Sequence, residues 1–383
     1  MRGRLRHPAP IGPPAARSAH RPRRVASPGP GPSDALAAAR SSPVTDVRTI
    51  DYHTAGEPFR IVREGLPPIP GDTVAERFAT AVGAGGAPTA PRRGPLDDVR
   101  RLLVREPRGH SGMYGCFVVP ADDEGAHFGV LFWHKDGYST ACGHGTMALG
   151  AWAVDEGIVA APADGSVQVR VDVPSGRVVA TVHREGGRTT GVTFRNVPAR
   201  VTARGVRVAT GAGPVDVALV HAGACYASVP AAALGLTVDR AALPRLVAAG
   251  QEIRSALADH PGSLDPARPR LSGVYGVIFH EELPRRPEGP VQRNVTVFAD
   301  GQFDRSPCGS GTSARLALLA ADGLLAPDEV LRHESIAGTV FTGRALPPTG
   351  LGTVTETSGR AFRTGEHRFV LDPHDELPEG FLP

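Results

Sequence analysis

Two short runs in this chain carry residue types suited to acid–base chemistry, and they nearly repeat each other: Ala141-Cys142-Gly143-His144-Gly145-Thr146 and Pro307-Cys308-Gly309-Ser310-Gly311-Thr312. A small, apolar stretch follows each, 147–152 in the first case and 313–318 in the second, and reads as a helix. Each cysteine therefore falls at a helix N-terminus, where unpaired N–H groups and a partial positive charge gather. Such a terminus lowers a thiol pKa and cradles an anion such as a carboxylate. Two thiols of this kind facing one pocket could pass a proton from one side of a carbon to the other. One run lies in the first half of the chain and the other late in the second, which points to a duplicated lobe presenting one cysteine each time.

The elements that would position these runs are mostly short strands. Strand-like apolar runs fall at 47–52, 59–63, 115–119, 127–133, 167–173 and 177–183. The theme returns at 215–221, 226–229, 273–279 and 294–298, with late strands at 354–357 and 367–371. Residues 96–103 have helical spacing, and 239–257 reads as a helix interrupted near Pro244. The Gly/Ala/Pro-rich stretch 79–95 reads as a mobile insertion. Strands outnumber helices without strict βαβ alternation, which disfavours a doubly wound parallel sheet. The expected fold is α+β: two similar lobes, each a curved, mostly antiparallel sheet around a central helix, with the active site in the cleft between them. The expected lobes are 44–195, to which C-terminal strands 351–383 return, and 196–350.

Composition narrows the function classes. The 383 residues are enough for two domains with proper cores, and an apolar content of 41% marks the chain as globular. No apolar run approaches the roughly 20 residues of a membrane span. Of the formal net charge of +3, residues 1–42 carry +7 through eight Arg against Asp34, so the rest of the chain carries −4. The folded part is thus no nucleic-acid surface. Residues 1–43 lack the apolar core of a secretory signal and read as a disordered Arg/Pro/Ala-rich tail outside the fold. Four scattered cysteines, Cys116, Cys142, Cys225 and Cys308, suggest reduced thiols in the cytoplasm rather than a disulfide framework. Cys116 and Cys225 stand outside the repeat and read as inert packing. Lys135 is the sole lysine, so only it could form a pyridoxal-phosphate Schiff base, and there is no P-loop. His144 with Cys142 makes a Cys-x-His pair, but no compatible second pair follows, so no metal is expected.

The chain resembles the proline racemase superfamily, which includes proline racemases, hydroxyproline 2-epimerases and trans-3-hydroxyproline dehydratases. The resemblance runs from about residue 47 to 381. It is carried by Asp51-Tyr52-His53-Thr54-Ala55-Gly56-Glu57-Pro58, Arg60-Ile61-Val62, Glu106-Pro107-Arg108-Gly109-His110, Met113-Tyr114-Gly115, Cys142-Gly143-His144-Gly145 and the run from Asp304 to Thr312. It implies the two-lobed fold of diaminopimelate epimerase, no cofactor, a small-molecule substrate and a homodimer. By the same resemblance Cys142 and Cys308 are the paired acid/base thiols, with His144 and Asp304 beside them against the thiols or the substrate amine. Backbone N–H groups of Gly143, His144, Gly309 and Ser310 hold the carboxylate, and Phe298 walls the ring. Tyr114 lines the cleft or packs beside it, and His53 serves to tie down a loop or takes part in catalysis.

The chemistry wants these groups. The Cα–H of an amino acid is a very weak acid, and two helix N-termini aimed at the carboxylate stabilise the developing charge without a metal or cofactor. A thiol pair, with a reference pKa near roughly 8.5, can hold one partner ionised and the other protonated. The resemblance leaves three readings. Cys308, where the dehydratases carry threonine, favours a two-base racemase or 2-epimerase of proline or hydroxyproline. The runs 129–132, 136–139 and 341–343, and Ala141 before the first cysteine, look as much like the trans-3-hydroxy-L-proline dehydratase branch. A thiol redox sensor or a non-catalytic ligand-binding protein is the reading from another class.

Overall fold

Side chains that alternate between buried and exposed, the period-two mark of a strand with one covered face, fill much of this chain. The computed structural model describes residues 46–83, 94–372 and 374–382, so the expected tail at 1–43 lies outside the described residues. Among the described residues eighteen strands join in one hydrogen-bonded sheet. The first half of the chain contributes β1 (Asp46–Thr54), β2 (Glu57–Glu64), β3 (Tyr114–Val119), β4 (Phe128–His134), β5 (Gly137–Ser139), β6 (Gly165–Val173), β7 (Gly176–Glu185) and β8 (Arg188–Arg195). The second contributes β9 (Arg200–Thr210), β10 (Gly213–His221), β11 (Cys225–Pro230), β12 (Val274–Arg286), β13 (Gly289–Phe298), β14 (Gln302–Phe303), β15 (Leu331–Ser335), β16 (Val340–Ala345), β17 (Thr355–Gly359) and β18 (Ala361–Val370).

The pairings run β18–β1–β2–β3–β4–β6–β7–β8 in one half of the sheet. They run β9–β10–β11–β12–β13–β15–β16–β17 in the other. Both halves follow the same order of senses: antiparallel, antiparallel, parallel, antiparallel, parallel, antiparallel, antiparallel. β5 and β14 return as short hairpins on β4 and β13, and β8 meets β17 at an antiparallel seam. The duplication signalled by the cysteine runs therefore extends through the whole topology.

Each parallel step needs a crossover, and helices supply it. Helices α1 (Val74–Val82) and α2 (Pro95–Val104) lie between β2 and β3, and α3 (Gly143–Asp155) between β5 and β6. In the second half α4 (Leu243–Ala256) lies between β11 and β12, and α5 (Gly309–Ala321) between β14 and β15. Residues 143–154 of α3 are all buried, as expected of a helix that is apolar on every side. It touches β1, β2, β6, β7, β8 and β18, so its half of the sheet curls around it. Val178, Ala180 and Val182 of β7 and Val192 and Phe194 of β8 point inward against it. The approach is close: a Cβ at Gly150 would lie 2.7 Å from the Ala180 methyl. Helix α5 takes the same place in the second half, against β9, β10, β11, β16 and β17.

Two local expectations are corrected. Residues 79–82 are not part of an insertion but complete α1, which Thr73 starts with a capping box on Glu76; residues 84–93 of that stretch lie outside the described residues. Pro244 does not interrupt a helix; it sits in the first turn of α4, where its missing N–H has no partner to lose. No described helix is long and apolar enough to cross a membrane.

Candidate active site

Helices α3 and α5 meet end to end at their N-termini, glycine against glycine. A Cβ added to Gly143 would lie 2.5 Å from the Gly309 Cα, and one added to Gly309 would lie 2.6 Å from the Gly143 Cα. Only glycine permits this approach. Each helix is capped by the cysteine before it. Cys142 Sγ accepts the Gly145 N–H at 3.2 Å, and Cys308 Sγ accepts the Gly311 N–H at 3.3 Å. Both thiols are unoxidised and nearly enclosed, at 6% and 7% exposure, and both line one small cavity between the lobes.

The structure brings the candidate site residues other than His53 to that cavity. Gly143, His144, Asp304, Gly309, Ser310, Phe298 and Tyr114 all line it beside the two cysteines. His144 Nδ1 lies 3.4 Å from Cys142 Sγ and 3.9 Å from the Asp304 carboxylate. The His144 ring is edge-on to Tyr114 at 5.0 Å and to Phe59 at 5.7 Å. Burial drives its pKa down to about 4, against the pull of Asp304, so the imidazole is neutral at pH 7. Asp304 is fixed by its own backbone N–H to Thr296 O at 2.9 Å and by the Ser306 N–H to its Oδ1 at 2.8 Å. Ser306 Oγ in turn accepts the Cys308 N–H at 3.1 Å. That short chain ties the carboxylate to the cap of α5.

One expectation is reversed. The helix termini do not hold the thiols below their ordinary pKa. Burial pushes both well above it, and the carboxylate of Asp304 adds to the rise. The Gly145 and Gly311 N–H groups pull the other way but are outweighed. Desolvation of an anion costs more here than one backbone N–H returns. Cys116 and Cys225 pack in apolar clusters and do not line the cavity, and burial raises both thiols, Cys225 to about 12. His53 accepts the Gly56 N–H and stacks on Phe362, bracing the turn between β1 and β2.

Several residues of the site escaped the sequence reading. Ala141, Tyr226 and Tyr275 complete the lining. Tyr275 stacks on Phe298 at 5.5 Å, and its hydroxyl meets that of Tyr114 at 3.1 Å. Tyr114-Gly115 opens β3 and Tyr275-Gly276 follows Val274 at the start of β12, so a second, two-residue repeat was present in the sequence. Glu57, fully buried, accepts the Arg305 N–H at 2.8 Å and its Nε–H at 2.7 Å. Burial raises its carboxyl well above the ordinary range, helped by Asp304. This pair clasps β2 to the loop that carries Cys308. Among the described residues no group of three His, Cys, Asp or Glu side chains converges as a metal site.

Comparison with known proteins agrees with this architecture. Residues 49–382 match the family model described as proline racemase. A trans-3-hydroxy-L-proline dehydratase of Bacillus thuringiensis subsp. konkukian is 40% identical over 87% of this chain and 97% of its own. The human trans-3-hydroxy-L-proline dehydratase is 41% identical over 89% and 95%. Among solved structures, a hydroxyproline epimerase from Agrobacterium vitis with bound trans-4-hydroxy-L-proline superposes with a TM-score of 0.79 at 28% identity, covering 88% of this chain and 96% of that one. With the match spanning both halves of the sheet and both cysteine-capped helices, the chain belongs to the proline racemase family.

Proposed function

We propose that this protein moves a proton at the Cα of proline or a hydroxyproline between two thiols, as a cofactor-independent racemase or 2-epimerase. The observation that carries this reading is the second thiol, Cys308, capping a helix that abuts the one capped by Cys142. The substrate carboxylate lies on the N–H groups of Gly143, His144, Gly309 and Ser310, whose helix ends stabilise the enolate-like charge. Asp304, with neutral His144, takes the ring nitrogen. A cationic nitrogen against Asp304 offsets the negative field that helps hold the Cys142 thiol protonated, so substrate binding itself favours a thiolate. That thiolate takes the Cα proton; the thiol on the other face donates its own to the same carbon. Product leaves with the two protonation states exchanged, so forward and reverse turnover alternate between the two forms.

A second reading, trans-3-hydroxy-L-proline dehydratase, is favoured by the relatives that carry this name at 39–41% identity. In that substrate the Cα–H and the 3-hydroxyl lie on the same ring face. One thiol can take the proton and return it to the departing hydroxyl as water, leaving a pyrroline-2-carboxylate, and Cys308 then has no step to perform. Proton NMR in deuterated water under reducing conditions tests both readings, with L-proline, trans-4-hydroxy-L-proline and trans-3-hydroxy-L-proline supplied separately. Loss of the Cα–H signal with appearance of the opposite configuration supports the racemase or epimerase. A pyrroline carboxylate from the 3-hydroxy compound alone supports the dehydratase, and silence with all three ends the proline-type assignment. We further propose a homodimer, which light scattering on the eluting protein would read as twice the chain mass.

A further inference from the structure

In the reading just proposed, the cavity has an end for the carboxylate and a side for the amine. The remaining wall must face the ring carbons. For proline those carbons bear only hydrogen, and Phe298 is the kind of wall they want. The cavity instead adds three tyrosines, Tyr114, Tyr226 and Tyr275. Two of them come from equivalent strands of opposite lobes, and their hydroxyls meet at 3.1 Å.

We infer that Tyr114 and Tyr275 read a ring hydroxyl, so that the site takes a hydroxylated proline in preference to proline. The inference rests on the proline-type reading above and deepens it. The rings are well held. Tyr275 stacks on Phe298 and stands edge-on to Tyr226 at 5.8 Å; Tyr114 is edge-on to Phe298 at 6.0 Å and to His144 at 5.0 Å. Their hydroxyls therefore have little freedom to find other partners. Burial keeps both phenols neutral, so they act as hydrogen-bonding groups and not as phenolates.

Counting protons shows what they offer. Tyr114 and Tyr275 share one hydrogen bond, one phenol donating to the other at 3.1 Å. Each hydroxyl is both donor and acceptor, so the pair has hydrogen-bonding capacity beyond that one bond. A substrate hydroxyl can engage it as donor or acceptor; the CH₂ of proline can do neither. Sites built to bond a substrate hydroxyl reject the analogue that lacks it.

The test compares kcat/KM for loss of the Cα–H signal, which exchange and elimination both cause. The substrates are trans-3-hydroxy-L-proline, trans-4-hydroxy-L-proline and L-proline, with wild type, Tyr275→Phe and Tyr114→Phe. Wild type is expected to favour at least one hydroxylated substrate over proline, and each variant to shrink that ratio by roughly 10- to 100-fold. A merely structural role would lower all three substrates in parallel and leave the ratio alone. An unchanged ratio in the variants, or a wild type that prefers proline, overturns the inference while the proline-type reading stands. Wild type inert toward all three removes the reading and the inference together. If one variant fails to fold, the other carries the test, because each phenol is half of the same pair.

Discussion

Helices α3 and α5 are built alike at their first turns and unlike everywhere else. Each is capped by a thiol, each carries a threonine whose hydroxyl turns back to the chain at or just before the cap, and each opens on a glycine pressed against the other. Beyond that the two differ. Cys142 has an ordinary extended φ of −153°, whereas Cys308 has a φ of +62°. Helix α3 puts His144 beside its thiol, and α5 puts Ser310 at the matching place while its preceding loop supplies Asp304. The interior of α3 is apolar, with Met147, Leu149 and Trp152 in the core. Helix α5 buries Arg315, which donates to Ser228 Oγ at 2.9 Å and Gln292 Oε1 at 3.1 Å, and whose pKa burial lowers to about 10. Duplication thus supplies what the proposed chemistry needs to be symmetric, two abutting helix ends each capped by a thiol. Divergence supplies what must not be, a neutral imidazole on one side and a carboxylate on the other.

The sharpest way to break this comparison is to remove each thiol in turn. Cys142→Ser and Cys308→Ser should each lower racemisation or epimerisation by roughly 10²- to 10⁴-fold, the range of a lost general acid or base. Stopped-time NMR of both variants against wild type reads the result. If only Cys142→Ser abolishes turnover, the lobes are chemically unequal and the one-base elimination is the reaction. Equal losses keep the two-base cycle.

The contact between the helix ends comes next. Gly143→Ala or Gly309→Ala would place a methyl 2.5 to 2.6 Å from backbone atoms of the opposite helix, so the two ends must part. A misplacement of about 1 Å at a site of this kind costs on the order of 100-fold in rate. Overpacking should also cost about 1–3 kcal/mol of stability. Steady-state rates with urea unfolding measure both. Wild-type rates in either alanine variant would show that the close approach is not needed.

Much of this frame was legible in the residues. Two Cys-Gly-x-Gly-Thr runs followed by small apolar residues gave both buried helices, because a cap and an all-apolar turn are local signals. Strands with an alternating inward face, such as β7 and β10, were equally plain. β8, β9, β15 and β16 were not. β9, paired on one side only, with β10, mixes charged and small residues, and its position is set by its neighbour rather than by its own pattern. Tyr275 was missed because a lone tyrosine at a strand start carries no signal until the equivalence of β3 and β12 is known. The thiol pKa was misread for a related reason: the helix end is visible in sequence, but the enclosure that outweighs it is a tertiary property. Arg315 and Glu57 likewise became informative only once their burial was seen.

A smaller effect appears in acid and is shared by both lobes. Burial holds His134 and His144 in the first half to about 3 and about 4, and His333 in the second to about 3. Each is neutral in the fold, while the unfolded chain protonates near 6.5. Their folded pKa values lie below the unfolded value, so stability is fully present above about pH 6.5 and is lost as pH falls toward 4 and 3. Each pH step between the two values is worth about 1.4 kcal/mol, so His144 alone contributes roughly 3 kcal/mol to the acid sensitivity. The thermal midpoint should fall steadily from pH 7 to pH 4. His144→Gln should flatten the part of that slope above about pH 4, and an unchanged slope would show that the imidazole is hydrated and free to protonate.

The smallest prediction isolates the backbone at the two caps. A non-glycine residue held at positive φ stores about 1–3 kcal/mol, and Cys308 is such a residue while Cys142 is not. Replacing either by glycine loses a small buried side chain and one sulfur cap bond, and gives the unfolded chain more freedom. The cap bonds and exposures match at the two positions, and Cys142 gives up its contact with His144 as well. Only at 308 does glycine also relieve strain. Cys308→Gly should therefore be less destabilising than Cys142→Gly by about 1 to 2 kcal/mol, read as the difference in urea midpoints at constant m. Equal midpoints would mean that the Ser306 bond to the Cys308 N–H already absorbs the distortion. A difference of the expected size would show that the second lobe gives up stability to aim its thiol, the same asymmetry that its carboxylate expresses in charge.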